Sequence, residues 1–177
     1  MFYKWDVRWL EDAAHVARKS KDPSTKVGAV IVRPNGDGPG DKIAEGWNGF
    51  PRGIADTGER LTDRDMKLKL VVHAEQNAIL NAGRIGVSCL GAYLYVVATD
   101  KSGKVWGGPP CTRCTVETIQ SGIIQVISYP LKTAPSRWHD DCKFAGTLLE
   151  EARVVYREFD MGGCGAYGCE RTDVHSH

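Results

Sequence analysis

The sequence predicts an α/β fold, a sheet covered by helices on both faces. Three observations predict it. Residues 27–32, 92–98 and 123–128 form short, nearly unbroken apolar runs, the composition of strands buried on both sides. Segments with helical apolar spacing alternate with them, from residues 5–19 to residues 137–150. Glycine- and proline-bearing turns such as 34–40 punctuate that alternation.

The elements follow in chain order. Residues 5–19 place Trp9, Ala13, Val16 and Ala17 on one stripe, with Arg8, Glu11, Asp12, Arg18 and Lys19 largely off it, an amphipathic first helix. A loop at 20–25 carries Pro23 and leads through Lys26 into the first strand. A second strand runs over 42–47 and opens into Asn48-Gly49-Phe50-Pro51-Arg52-Gly53, with loop expected over 54–61. A helix over 62–72 is expected, with Thr62 and Asp65 as its capping pair. The next helix starts at His73 and reaches about Ala82. After the strand at 92–98, an insert at 99–108 separates it from Pro109-Pro110. A helix over 110–121, a strand over 123–128, a proline-bearing loop over 129–136, a helix over 137–150 and a strand over 153–159 complete the order. Residues 160–177, with Cys164, Cys169, His175 and His177 among glycines, read as a flexible tail rather than a second metal site, so the folded domain is expected over 1–159.

Composition narrows the function. The 177 residues, 42% hydrophobic and 25% charged, suit one domain with a real core. A net charge of +1 supplies no broad field for a nucleic-acid backbone, so a small-molecule substrate is expected. Lys4, Asp6, Arg8, Glu11 and Asp12 interrupt the N-terminal apolar residues, which excludes a signal or membrane-spanning segment there and points to the cytoplasm. Without an export signal, the six cysteines are better used on metal than in disulfides.

Two short motifs carry the chemistry: His73-Ala74-Glu75 and Pro110-Cys111-Thr112-Arg113-Cys114. Cys111 and Cys114 stand three residues apart, so at a helix start both thiols fall on one face and grip one ion. Pro110 suits a first turn, where a missing N–H costs nothing. His73 and Glu75 point apart inside a helix and meet only beyond its end, which places His73 at a first turn. One His and two Cys leave a tetrahedral zinc one position short, the mark of a catalytic rather than a structural site. Two thiolates balance the charge of the ion and weaken it as a Lewis acid, so a base is needed, and Glu75 fits that role. Read singly, the Cys-x-x-Cys is also compatible with half of a structural zinc ribbon or with a redox pair, and a lone His-Ala-Glu means little. His-x-Glu followed by Pro-Cys-x-x-Cys, in that order, is a zinc deaminase signature.

The chain resembles the deoxycytidylate (dCMP) deaminases of the cytidine deaminase superfamily, of the phage and bacterial type, over residues 5–159. Ser24-Thr25-Lys26-Val27-Gly28-Ala29-Val30, Gly46-Trp47-Asn48-Gly49-Phe50-Pro51, His73-Ala74-Glu75 with Asn77-Ala78-Ile79, and Pro110-Cys111-Thr112-Arg113-Cys114 carry the resemblance. It implies a three-layer α/β/α fold with a five-stranded mixed sheet and one zinc ion per subunit held at two helix N-termini. It also implies hydrolytic deamination of dCMP to dUMP, a homo-oligomer, and control by dCTP and dTTP near residues 48–53, with Mg²⁺ accompanying a triphosphate effector. The chain departs from the family pattern in the insert at 99–108, in its tail, and in lacking an extra Cys/His cluster for a second zinc.

On this reading Glu75 is the catalytic proton carrier and His73, Cys111 and Cys114 are the metal ligands. Backbone N–H groups at the helix starts, near Ala74 and Cys111, are expected to hydrogen-bond the intermediate, with Ala74 and Pro110 bordering the substrate. Asn48 is the candidate for a sugar hydroxyl, its amide able to donate and accept, though a turn role beside Gly49 fits it equally. For a phosphate the candidates are Lys26, Arg52, Arg113 and Lys132, with Ser24 and Thr25 as hydroxyl partners, Lys26 being favoured because it precedes the first buried strand. Trp47, Phe50 and Trp106 are open both to stacking on a base and to core packing. Other substrates in view are dCTP, a 5-substituted dCMP and other nucleobases; the non-enzymatic alternative is a structural zinc module.

Overall fold

The computed structural model describes residues 3–160, so the tail expectation for 161–177 lies outside the described residues. Five strands form a mixed sheet in the order β2(Asp41–Trp47), β1(Lys26–Arg33), β3(Tyr93–Thr99), β5(Gln125–Ser128) and β6(Val155–Glu158). The first three run antiparallel to their neighbours, and β3, β5 and β6 run parallel. A two-residue strand, β4(Val105–Trp106), pairs with the end of β3, so the expected insert at 99–108 is a hairpin.

Alternation along the strands divides the core in two. Ala29, Ile31, Leu94, Val96 and Val126 face helices α4(Ala74–Arg84), α5(Thr112–Gln120) and α6(His139–Glu151). Val30, Val32, Tyr95, Val97 and Ile127 face helix α1(Tyr3–Ala17), with Leu10, Ala13 and Val16 against them. This is why the strands read as continuous apolar runs: both sides are covered. On the α1 face, buried Asp6 pairs with Arg157 and accepts from the Tyr95 hydroxyl at 2.8 Å, tying α1 to β3 and β6.

Two glycines let helices approach the sheet. A Cβ on Gly28 would lie 2.1 Å from the Ala13 carbonyl oxygen of α1, and one on Gly46 would lie 2.3 Å from the Ala78 nitrogen and 2.4 Å from the Ala74 oxygen of α4. At Gly46 the helix seated on the glycine is the one that begins beside His73. Gly46→Ala is therefore expected to cost about 1–3 kcal/mol, typical of overpacking, and to weaken zinc binding through the shifted helix start. Thermal denaturation with a zinc titration checks both effects. The outward carbonyls of edge strand β2 are taken up by the same helix: Asn77 Nδ2 donates to Trp47 O at 2.9 Å and Asn81 Nδ2 to Glu45 O at 2.8 Å.

Several expected boundaries are corrected. The helix expected over 62–72 is two, α2(Gly58–Thr62) and α3(Arg64–Leu70), so α2 also occupies part of the expected loop at 54–61. Thr62 and Asp65 do not form the cap; Asp63 closes α2 and caps α3, its side chain accepting from Met66 N at 3.0 Å. His73 and Cys111 are N-caps rather than first-turn residues, so Pro110 precedes α5 instead of opening it. Two 3₁₀ turns, Leu131–Thr133 and Ser136–Trp138, delay the start of α6 to His139.

Beyond α6, Arg153 adopts φ 58° and Val154 N returns to Leu149 O at 2.8 Å, a helix stop that favours glycine. Arg153→Gly is expected to raise stability by about 1 kcal/mol, the size of the left-handed penalty it relieves, read as a higher midpoint in urea with an unchanged slope.

Candidate active site

Both metal-binding motifs sit at the N-terminal ends of helices, His73 capping α4 and Cys111 capping α5. β2 and β3 point the same way, each being antiparallel to β1, and the N-terminal ends of α4 and α5 gather beyond their carboxyl ends. A reciprocal backbone pair between Gly49 and Val72, at 3.1 and 2.8 Å, closes the excursion through α2 and α3 and returns the chain to the sheet at His73.

His73 and Cys111 share one backbone state, φ −69° with ψ 159° and φ −59° with ψ 158°. Both are N-caps whose side chains make no capping bond. A Ser or Asp would normally turn its oxygen onto the helix there. Here both side chains are turned instead towards a common point. Asp141 of α6 substitutes as a cap for α5, accepting from Thr112 N at 3.0 Å and from its hydroxyl at 2.7 Å.

His73 Nδ1 lies 3.4 Å from Cys111 Sγ and 3.3 Å from Cys114 Sγ, and the three ligand atoms fall within 4.8 Å of one another. Donors at zinc distances and tetrahedral angles stand roughly 3.5–3.8 Å apart, so the set fits one zinc ion, with three protein ligands among the described residues. The neighbouring Cys114 thiol and His73 draw Cys111 below the usual thiol range, while the Cys111 sulfur and burial push Cys114 up. One thiol thus yields its proton readily, and a dication bound there would displace the proton of the second to solvent. The hydrogen bond with Cys111 also raises His73.

Glu75 is 6% exposed, and burial pushes its carboxyl up to about 6, with Cys111 adding to the rise and His73 opposing it. A cation in the ligand set acts in the same direction as His73. Glu75 lines a cleft of about 680 Å³ together with His73, Ala74, Pro110 and Cys111. Ser24, Thr25, Asn48 and Trp106 line it as well.

The other candidates are placed differently. Lys26 is not among the lining residues of this cleft. Trp47, Phe50 and Arg52 border a neighbouring cleft of about 320 Å³. The Trp47 ring carries Lys19 Nζ at 5.2 Å, and Arg52 donates to Asn81 Oδ1 at 2.9 Å. Arg113 lies 3.7 Å from Glu117, and Lys132 pairs with Asp160 at 2.9 Å. Asn48 is already engaged by backbone: Oδ1 accepts from Val27 N at 2.7 Å and Nδ2 donates to Thr25 O at 2.9 Å. One N–H and one lone pair of its amide remain for a ligand.

Lys67, Arg64, Lys101, Arg137 and Trp138 also line the zinc cleft and are not among the candidates the sequence offers. Nothing local marks them, since they arrive from α3, the β3–β4 hairpin and the turn before α6. Asp22 is the exception. It accepts from Ser24 N at 2.7 Å and Thr25 N at 3.2 Å, and the Asp-Pro-Ser spacing is a turn signal that a closer reading can find.

A metal centre with three ligands among the described residues, set over a cleft with a buried carboxylate, is the arrangement of a metal-dependent enzyme. Residues 3–129 match the family model described as the cytidine and deoxycytidylate deaminase zinc-binding region. The chain is 33% identical to the uncharacterized deaminase in the luxG 3' region of Aliivibrio fischeri, covering 87% of this chain and 92% of that protein. It is 32% identical to the deoxycytidylate deaminase of Homo sapiens, covering 89% and 81%. In fold it is similar to the dCMP deaminase of cyanophage S-TIM5 crystallised with dCMP and dUMP, with a TM-score of 0.66 and 23% identity over 90% of this chain and 99% of that one. The chain belongs to the cytidine and deoxycytidylate deaminase family, and its zinc ligands are His73, Cys111 and Cys114. No helix among the described residues is long and apolar enough to cross a membrane.

Proposed function

We propose that the protein deaminates dCMP hydrolytically, giving dUMP and ammonia. The observation that carries this reading is the buried Glu75 carboxylate beside the His73, Cys111 and Cys114 donors on one cleft wall. Relatives named deoxycytidylate deaminase support the choice of nucleotide. When bound, zinc supplies a Lewis acid that brings the pKa of a water towards neutrality.

Glu75 takes a proton from the water attacking C4 and passes it to N3, leaving a tetrahedral carbon that bears both hydroxyl and amino groups. It then moves the hydroxyl proton to the amino nitrogen, the C–N bond breaks, ammonia leaves, and the carbonyl of uracil forms. Backbone N–H groups at the starts of α4 and α5 face the developing charge. Ser24 and Thr25, with the remaining donor of Asn48, receive the sugar and phosphate; Lys101, Arg64 and Arg137 bring positive charge to the same cleft. Homo-oligomerisation and a response to dCTP or dTTP belong to the same reading, the second cleft beside Trp47, Phe50 and Arg52 being the place to look for the effector.

Ammonia release from deoxycytidine, CMP, dCMP, 5-methyl-dCMP and dCTP by the zinc-loaded protein tests the proposal. The highest kcat/KM is expected for dCMP. Preference for dCTP or the 5-methyl compound replaces the substrate, and no release from any of them removes cytosine nucleotides as the substrate class.

A further inference from the structure

The walls of the zinc cleft are joined by an ion pair that the reaction itself does not need. Lys67 of α3 lies 3.2 Å from Asp22, their side chains 18% and 9% exposed, across 45 residues of sequence. Asp22 holds the Ser24–Thr25 turn through two backbone N–H groups, and the Asp22 N–H donates to Ser20 Oγ at 3.2 Å. The Ser20 hydroxyl in turn donates to Asn48 O at 2.8 Å. Lys67 therefore ends a chain of bonds that runs through Ser24, Thr25 and Asn48, three of the residues proposed to hold the sugar and phosphate.

Between the Gly49–Val72 backbone pair at its end and the exposed Lys21–Asp56 ion pair at its start, the segment that carries Lys67 has few other contacts to hold it. α2 and α3 contain no buried residue and pack chiefly on each other. Leu61, Leu68 and Val71 nonetheless turn apolar surface to the cleft, Leu68 remaining 56% exposed. A helical pair with so few buried contacts opens locally at low cost unless it is fastened.

We propose that Lys67 is a positioning residue for the deamination: its ion pair with Asp22 fastens α2 and α3 over the zinc cleft and fixes the Ser24–Thr25 turn against which the nucleotide is seated. This rests on the nucleotide reading of the cleft. A wall that binds substrate and transition state alike acts on KM and leaves kcat nearly unchanged.

The test compares zinc-loaded wild type with Lys67→Met, Lys67→Arg and Asp22→Asn, using dCMP turnover, thermal denaturation, and amide hydrogen exchange of residues 57–71 with and without dUMP. For Lys67→Met and Asp22→Asn, KM for dCMP is expected to rise about tenfold, the scale of a lost hydrogen bond to a charged group, with kcat within about threefold. Exchange over 57–71 is expected to speed up by a similar factor, and Lys67→Arg to restore both. Unchanged KM and unchanged exchange overturn the proposal, as does a lower melting temperature with KM unmoved. Should Lys67→Met fail to fold, Asp22→Asn decides by the same criteria, since its amide oxygen still accepts from the turn. If wild type deaminates no cytosine nucleotide, the substrate reading falls, and the exchange difference without dUMP still decides whether Lys67 is the fastening.

Discussion

Glu75→Gln is expected to leave a folded, zinc-loaded protein with kcat reduced at least about 10²–10⁴-fold, the range for loss of a positioned acid–base group. The substitution keeps shape and length and removes only the ability to take and return a proton. Stability gives an independent check. Glu75 is 6% exposed and burial raises its pKa, which means the folded state disfavours the carboxylate. A neutral amide avoids that desolvation, so in metal-free protein at neutral pH the melting temperature should hold or rise. Ammonia release and zinc content measured on one sample settle the matter: turnover near the wild-type rate with one zinc per chain would remove Glu75 from the mechanism.

Stripping zinc, or replacing the 1% exposed Cys114 by Ser, is expected to abolish deamination and lower the melting temperature without unfolding the protein at room temperature. Zinc present at a thousand times its Kd stabilises the fold by about 4 kcal/mol, and a domain of this size shifts by about 2–4 °C for each kcal/mol. The fall on chelation should therefore be roughly 8–16 °C. The metal-free fold survives because neither core cluster depends on the ligands: one packs α1 on the sheet through Leu10, Val16 and Val30, the other packs α4 through Ala78 and Ala82. A zinc-nucleated module behaves differently, losing its secondary structure with its metal. Far-UV circular dichroism before and after chelation separates the two, and collapse of the helical signal would return the site to a structural role.

Legibility followed the range of the interaction. Cys111 and Cys114 were readable as one grip because their relation is set within a single helical turn. The two-sided burial of β1 and β3 was readable because an unbroken apolar run has that consequence whatever covers it. The break between α2 and α3 was missed because residues 58–70 carry no buried stripe; two short caps, Thr57 and Asp63, decide it. Asn48 was legible as an amide in a turn, while its engagement by Val27 and Thr25 depends on how β1 and β2 pair.

The sequence by itself determined the donor set and the α/β alternation, and it singled out Glu75 as the candidate proton carrier, since each is a matter of residue type at short spacing. Only the tertiary structure decided what surrounds them. The seating of α4 on Gly46 brings His73 within reach of Cys111 and Cys114, and the excursion through α2 and α3 delivers Lys67 to Asp22 from 45 residues away. The same folding places Trp47, Phe50 and Arg52 beside a second cleft. Contacts of that range depend on strand register and on the distance at which helices rest on the sheet, and both are set by packing of the whole chain rather than by any one stretch of it.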